Sequence, residues 1–271
     1  MNGLFDPGAW NLALLVGGVV LAILWGTARA HRGRPPVVRD LEPLERLPEA
    51  VAAAASEDRP VLFVPGSRDL DNMQTVAALS LLAEVARQSA RRGVRMIVPT
   101  NRSLVMDSAR EVCRRVWEEE GRGDSWRDDW VSYVSDDPLG YVARVEGLIA
   151  RERPGAAFLF GSFSSESLLL AEGGYQIGSM QIAGTASPVQ LPFLVPACDS
   201  TLVGEEFFSA GAALGGDRTL LGSVWGQDAC KYGAIILLIG GALVATWAAR
   251  ADWAPVEAMA RALDAFLRGG G

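Results

Sequence analysis

Between Val61 and Phe208 the chain alternates short apolar runs with longer stretches of helical periodicity. Val61-Leu62-Phe63-Val64, Val94–Val98, Val131–Val134 and Ala156–Phe160 read as four strands. Short continuous apolar runs suit strands covered on both faces. Between them Met73, Val76, Ala77, Leu81 and Val85 recur at helical spacing and stop at Gly93. Asp69 is placed to cap that helix. Val105, Ala109, Val112 and Val116 mark a second helix; Tyr141, Val145, Leu148 and Ile149 mark a third. The third opens at Asp136-Asp137-Pro138, an aspartate cap followed by proline in the first turn. Gly161-Ser162-Phe163-Ser164-Ser165-Glu166 leads into another helix, through Ala171. Met180–Ala183 and Phe193–Ala197 read as fifth and sixth strands joined by a proline-containing loop, with a helix starting near Glu205. Five or six strands separated mostly by helices predict an α/β fold, a Rossmann-like and mainly parallel sheet. The missing helix between the last two strands predicts an edge hairpin or an irregular crossover.

Two uncharged runs flank this region, Leu12–Ala28 and Tyr232–Ala249, each long enough on sequence to cross a bilayer. Ala28-Arg29-Ala30 resembles a signal-peptide cleavage site. However, no basic residue precedes the first run, and Arg29, Arg32, Arg34 and Arg39 follow it. That charge distribution favours an uncleaved anchor with its amino terminus outside. The second run, bracketed by Lys231 and Arg250, would return outward beside the first. Gly17-Gly18 and Gly240-Gly241 either permit close helix approach or reflect the general abundance of glycine in spans.

The expected organisation is an anchor over 1–30, a linker with a short helix from Pro48 to Ala55 over 31–59, and a cytoplasmic α/β domain over 60–231. A second transmembrane helix over 232–250 and an amphipathic C-terminal helix over 251–271 complete it. In that last helix Val256, Met259, Ala260, Leu263 and Leu267 face one way, and Glu257, Arg261, Asp264 and Arg268 the other. The corresponding location is the cytoplasmic (inner) membrane, with both termini outside. Its partners would be membrane lipid and either further copies of the chain or other components of a membrane complex.

Composition narrows the chemistry. A net charge of −7 and a pI near 4.9 argue against a general nucleic-acid binder. Lys231 is the only lysine and His31 the only histidine. A P-loop lysine or a Schiff-base lysine in the α/β region is thereby excluded, and a Ser-His-Asp triad has no suitable histidine. Cys113, Cys198 and Cys230 are isolated, so they read as buried free thiols rather than metal ligands. Pro65-Gly66-Ser67-Arg68 stands where a dinucleotide-binding fold would carry GxGxxG, and GxSxG is absent.

The chemistry that remains lies at the strand tips, which an open parallel sheet gathers along its carboxyl edge. The candidate ligand-binding residues are Arg68, Asp69, Arg102, Ser162, Ser164, Thr185, Asp199, Thr201, Glu205 and Glu206. The arginines and helix amino termini suit a phosphate or carboxylate. Asp199 and Glu205 would hold magnesium through water. The competing account is structural: Asp, Ser and Thr at helix starts are caps, and Glu205-Glu206 complement a helix dipole.

Several runs together resemble one family: VLFVPGSRDLDNMQTVA, PTNRSLVMDSAR, GSFSSESLLLAE, QIAGTASPVQLPF, ACDSTLVGEEFFSA and GQDACK. The chain is similar to number sixty-seven fifty-four in the domain-of-unknown-function series, a family of bacterial and archaeal membrane proteins. The resemblance implies membrane association and no particular reaction. The expected function is a membrane-anchored ligand-sensing or assembly component of a complex. The alternative is a magnesium-dependent enzyme acting on a small phosphorylated or nucleotide substrate. That alternative requires Asp69, Asp199 and either Glu205 or Glu206 to converge on one cation.

Overall fold

The computed structural model describes residues 10–32, 41–163, 166–215 and 218–248. The chain divides into two units, Met1–Val37 with Asp217–Gly271, and Val38–Gly216.

The first unit holds α1 (Trp10–His31) and the last helix in chain order, α9 (Arg218–Ala248). Both uncharged runs are therefore helical. Among the described residues, however, no helix is long and apolar enough to cross a membrane. This overturns the two transmembrane helices and, with them, the inner-membrane location with both termini outside. α9 carries Asp228 and Lys231 in its first half. The expected amphipathic helix over 251–271 lies outside the described residues, as does 33–40 of the linker. α1 and α9 pack together, although not through Gly17, Gly18 or Gly240. A Cβ on Gly17, Gly18 or Gly240 would meet nothing within 4 Å. The close approach is at Gly226, where a Cβ would lie 2.6 Å from the Ile23 Cα and 2.9 Å from the Ala22 carbonyl oxygen.

The second unit opens with α2 (Glu42–Ser56), which starts earlier than its sequence suggests. Pro43 sits in its first turn, and Pro48 is accommodated inside it. The chain then runs β1 (Val61–Val64), α3 (Met73–Arg92), β2 (Met96–Thr100), α4 (Ser103–Glu119), β3 (Val131–Tyr133) and α5 (Pro138–Glu152). It continues through β4 (Ala156–Phe160), α6 (Glu166–Gln176), β5 (Met180–Thr185), α7 (Leu191–Ala197), β6 (Ser200–Val203) and α8 (Glu205–Gly215). The six strands lie in the order β3-β2-β1-β4-β5-β6. Every pairing is parallel. This is the doubly wound order, two βαβαβ halves meeting between β1 and β4.

Alternation within the strands builds two cores. Phe63, Phe158 and Phe160 face α2, α3, α4 and α8, where they meet Leu47, Leu81, Trp117 and Phe207. Leu62, Val64 and Leu159 face the opposite layer of Tyr141, Val145, Leu170 and Leu194. Because both faces are covered, the strands read as unbroken apolar runs. Phe160 stacks with Phe207 at 6.2 Å and tilts against Phe63 at 5.7 Å. Gly184 leaves the space for this: its Cβ would come 2.7 Å from the Phe207 ring and 2.8 Å from the Phe160 ring.

The end of the sheet differs from expectation. Phe193–Ala197 belongs to the short helix α7, which carries Pro192 in its first turn and Pro196 near its end, and the sixth strand is Ser200–Val203. The β5–β6 connection is consequently a parallel crossover through a short helix, the crossover of the two alternatives and not the hairpin. A five-residue apolar run carries too little periodicity to distinguish the two states.

Candidate functional site

In a doubly wound sheet the ligand crevice lies at the carboxyl ends of the two central strands. Here the chain leaves β1 towards α3 on one face and β4 towards α6 on the other. The two departing turns interlock. Gly66 and Gly161 both take positive φ, 82° and 131°. The Ser67 N–H donates to the Ser162 carbonyl at 2.8 Å, and the Ser67 hydroxyl reaches the same oxygen at 3.3 Å. Asn101, buried beyond β2, donates from Nδ2 to the Ser67 carbonyl at 2.9 Å. The tips of β1, β2 and β4 are thereby tied together by backbone and amide groups.

A second set of polar bonds joins β4 and β5 to α3. Gln74 accepts the Ala186 N–H at 2.8 Å and sits 3.1 Å from the Thr185 hydroxyl. The Gln190 Oε1 is 3.0 Å from that hydroxyl and accepts the Phe163 N–H at 3.1 Å, while its Nε2 donates to the Phe163 carbonyl. Thr185 in turn accepts from the Ser187 N–H at 3.2 Å. Thr185 and Gln190 are buried, so these bonds satisfy groups that would otherwise be costly.

Glu166 is different. It opens α6 and is only 5% exposed, yet its Oε1 has no hydrogen-bond partner among the described residues. Tyr141 lies near it and donates its hydroxyl to the Pro99 carbonyl at 3.1 Å. Burial, and then the Glu166 charge, hold the Tyr141 phenol well above its ordinary range, so it remains a donor. The amino terminus of α6 favours negative charge at this place. Even so, an unpaired carboxylate oxygen out of water costs several kcal/mol or so.

The predicted residues fall into separate groups. Arg68 is exposed beyond β1, and its guanidinium has no ion pair among the described residues. Arg102 forms a 3.5 Å ion pair with Asp136 across the tips of β2 and β3. Asp69 does not cap α3. It accepts the adjacent Leu70 N–H at 2.8 Å, while Asn72 caps the helix through the Gln74 N–H at 2.9 Å. Ser162 is buried at the interlocked turns. Ser164 lies outside the described residues.

Asp199 is at the opposite edge. It precedes β6, and its Oδ2 accepts the Gln181 N–H at 2.7 Å near the start of β5. A groove of about 500 Å³ runs from there along the outer side of β6, lined among others by Glu42, Val195, Asp199, Thr201 and Glu206. The Thr201 hydroxyl is buried without a partner among the described residues. Glu205 begins α8 beyond the carboxyl end of β6. Asp69, Asp199 and Glu205 are thus distributed over both ends of the sheet. Among the described residues no group of three or more Asp, Glu, His or Cys could hold a metal ion. The convergence that the magnesium enzyme requires is not formed, because Asp199 opens a strand instead of closing one.

All three cysteines are free thiols. Cys113 is buried, whereas Cys198 and Cys230 are half-buried. Burial and the neighbouring Asp199 push the Cys198 thiol up to about 12. Sequence inspection missed Gln74, which sits at a polar helix position like many others, and Tyr141, which reads as part of an apolar stripe. Nothing local marks either as a strand-tip residue.

No curated protein and no solved structure matches this chain. A family model does match, over residues 2–254, and its description names no activity. With almost its whole length covered by that model, the chain belongs to the family described as Domain of unknown function (DUF6754).

Proposed function

We propose that the α/β unit is a ligand-binding domain of a sensing or assembly component. It holds a small polar molecule over the carboxyl ends of β1 and β4. The observation carrying this reading is the buried Glu166 carboxylate with an unpartnered oxygen, placed where doubly wound sheets take their ligands. Such a group in a folded protein calls for a partner. A ligand hydroxyl or ammonium donor supplies one, and the Arg68 guanidinium at the neighbouring tip, without an ion pair among the described residues, suits an anionic group on the same molecule. The ligand class is therefore a small anion that also carries hydroxyl or amine donors.

Binding without turnover is favoured by the residue supply. The only histidine and the only lysine, His31 and Lys231, both lie in the other unit. The carboxylates of the α/β unit do not converge in sets of three among the described residues. The test is a thermal-shift screen of the full chain against sugar phosphates, nucleotides and amino acids, followed by calorimetry of any hit. Glu166→Gln should weaken a true ligand about 10- to 100-fold, the equivalent of one charge-assisted hydrogen bond. Arg68→Gln should weaken anionic ligands more than their neutral analogues. A hit that binds both variants as tightly as the parent chain defeats this reading.

A further inference from the structure

We propose that a groove at the amino edge of β2 and β3 is a second binding site, for a small phosphate-bearing anion. The groove has a volume of about 460 Å³ and is built by three elements. Arg95 stands just before β2, Arg127 and Trp130 lie in the segment entering β3, and Arg151 is on the last turn of α5. Met96, Ile97 and Leu148 supply its apolar lining. This size is ordinary for a small-ligand pocket.

The charge balance in the groove is uneven. Arg95 and Arg151 share a single carboxylate, Glu152, at 3.1 and 2.9 Å. Among the described residues Arg127 pairs only with Asp129, at 3.5 Å, and both side chains are largely exposed (70% and 69%). Three guanidiniums thus face two carboxylates that are already engaged. Arg151 and then Arg95 hold the Glu152 carboxyl below its ordinary value, so that carboxylate stays ionised and occupied. The remaining polar groups are hydroxyl and indole N–H: neither the Ser132 hydroxyl nor the Trp130 indole N–H has a partner among the described residues. Trp130 is held in place by edge-on contacts with Trp117 at 5.1 Å and Trp126 at 5.4 Å. A groove lined by three arginines and a fixed indole ring, with surplus positive charge, is complementary to a multiply charged anion. The chain as a whole is acidic at −7, so this local surplus runs against its average.

The site is independent of the carboxyl-edge reading, because the two lie at opposite ends of the strands. Its probe is sodium pyrophosphate, titrated into the full chain against sodium chloride at matched ionic strength. Tryptophan fluorescence and thermal shift would be followed together. The expected result is a saturable fluorescence change with stabilisation. The double variant Arg127→Gln/Arg151→Gln should shift the midpoint at least tenfold, and the Glu166→Gln variant should leave it unchanged. A second variant, Trp130→Phe, should reduce the fluorescence response, which covers the case of a double variant that fails to fold. A response equal to that of chloride, or an unchanged midpoint in a folded double variant, overturns the proposal. An undiminished fluorescence response in Trp130→Phe would also overturn it.

Discussion

Gly66 and Gly161 each occupy the space that the other's turn would need for a side chain. A Cβ on Gly66 would lie 2.8 Å from the Ser162 carbonyl oxygen, and one on Gly161 would lie 2.8 Å from the Pro65 carbonyl oxygen. Both obstacles are backbone, so neither can rotate away. Gly66→Ala and Gly161→Ala should each destabilise the α/β unit by about 2–4 kcal/mol, combining positive-φ strain with a clash. Urea unfolding measures this directly. A loss under about 0.5 kcal/mol in either variant would show that the turns separate easily.

The Thr185 hydroxyl couples two glutamines that are far apart in sequence, Gln74 and Gln190. Replacing Gln190 with leucine leaves the Phe163 N–H and carbonyl buried without their partners, at a cost of about 2–4 kcal/mol. Combined with Gln74→Leu, the losses should fall short of additive by about 0.5–1 kcal/mol, because both act through one hydroxyl. Additive losses in that double-mutant cycle would separate the two amides.

Glu166→Gln should raise the stability of the ligand-free protein by about 1–3 kcal/mol, because it replaces a buried carboxylate, one of whose oxygens has no partner among the described residues. Most buried polar substitutions go the other way, so the sign is diagnostic. A destabilised variant would mean that the carboxylate is held by the protein itself.

Asp128 offers a pH test. Its carboxyl accepts bonds from Arg114 at 2.9 and 2.8 Å and from the Trp126 indole at 2.8 Å. Those bonds, Arg114 first, hold it below its ordinary value of 3.8. A depressed folded-state value means that the stabilisation is present above the unfolded value and is lost as pH falls through the folded one. Acid titration should therefore show a tryptophan fluorescence step below pH 3.8. Asp128→Asn should lack it. Persistence of the step in that variant would assign it elsewhere.

Cys113 and Cys198 should resist alkylation at pH 8 until the chain is denatured, because burial raises both thiols above their ordinary value. Peptide mapping after a short iodoacetamide pulse reads this. Labelling of Cys113 at the rate of a free thiol would contradict its burial.

Sequence alone located the sheet better than its last strand. β1 and β4 fall where their apolar runs stand, and Asp137 caps α5 through the Gly140 N–H at 2.6 Å. Those signals are local: continuous apolarity, and aspartate before proline. β6, by contrast, reads Ser-Thr-Leu-Val, half polar because it is an edge strand with one partner. The more apolar Phe193–Ala197 attracted the assignment instead. That error placed Asp199 at the wrong end of the sheet. Arg68 and Thr185 were legible because they follow clear strands, whereas the partnership of Thr185 with Gln74 spans 111 positions and no local pattern encodes it. The uncharged helical runs were legible as helices, but length without charge overstated what α1 and α9 could do.

The doubly wound order carries a pseudo-twofold relation between its halves, and here both central strands end in a glycine-serine step, Gly66-Ser67 and Gly161-Ser162. The two arms then diverge in charge: Arg68 comes directly after one step, and Glu166 four residues after Ser162 in the other. Near-symmetric geometry with opposite signs gives the sheet midline a polarity. A molecule bridging the two arms would be held one way round, and its mirror placement would set anion against carboxylate and donor against guanidinium.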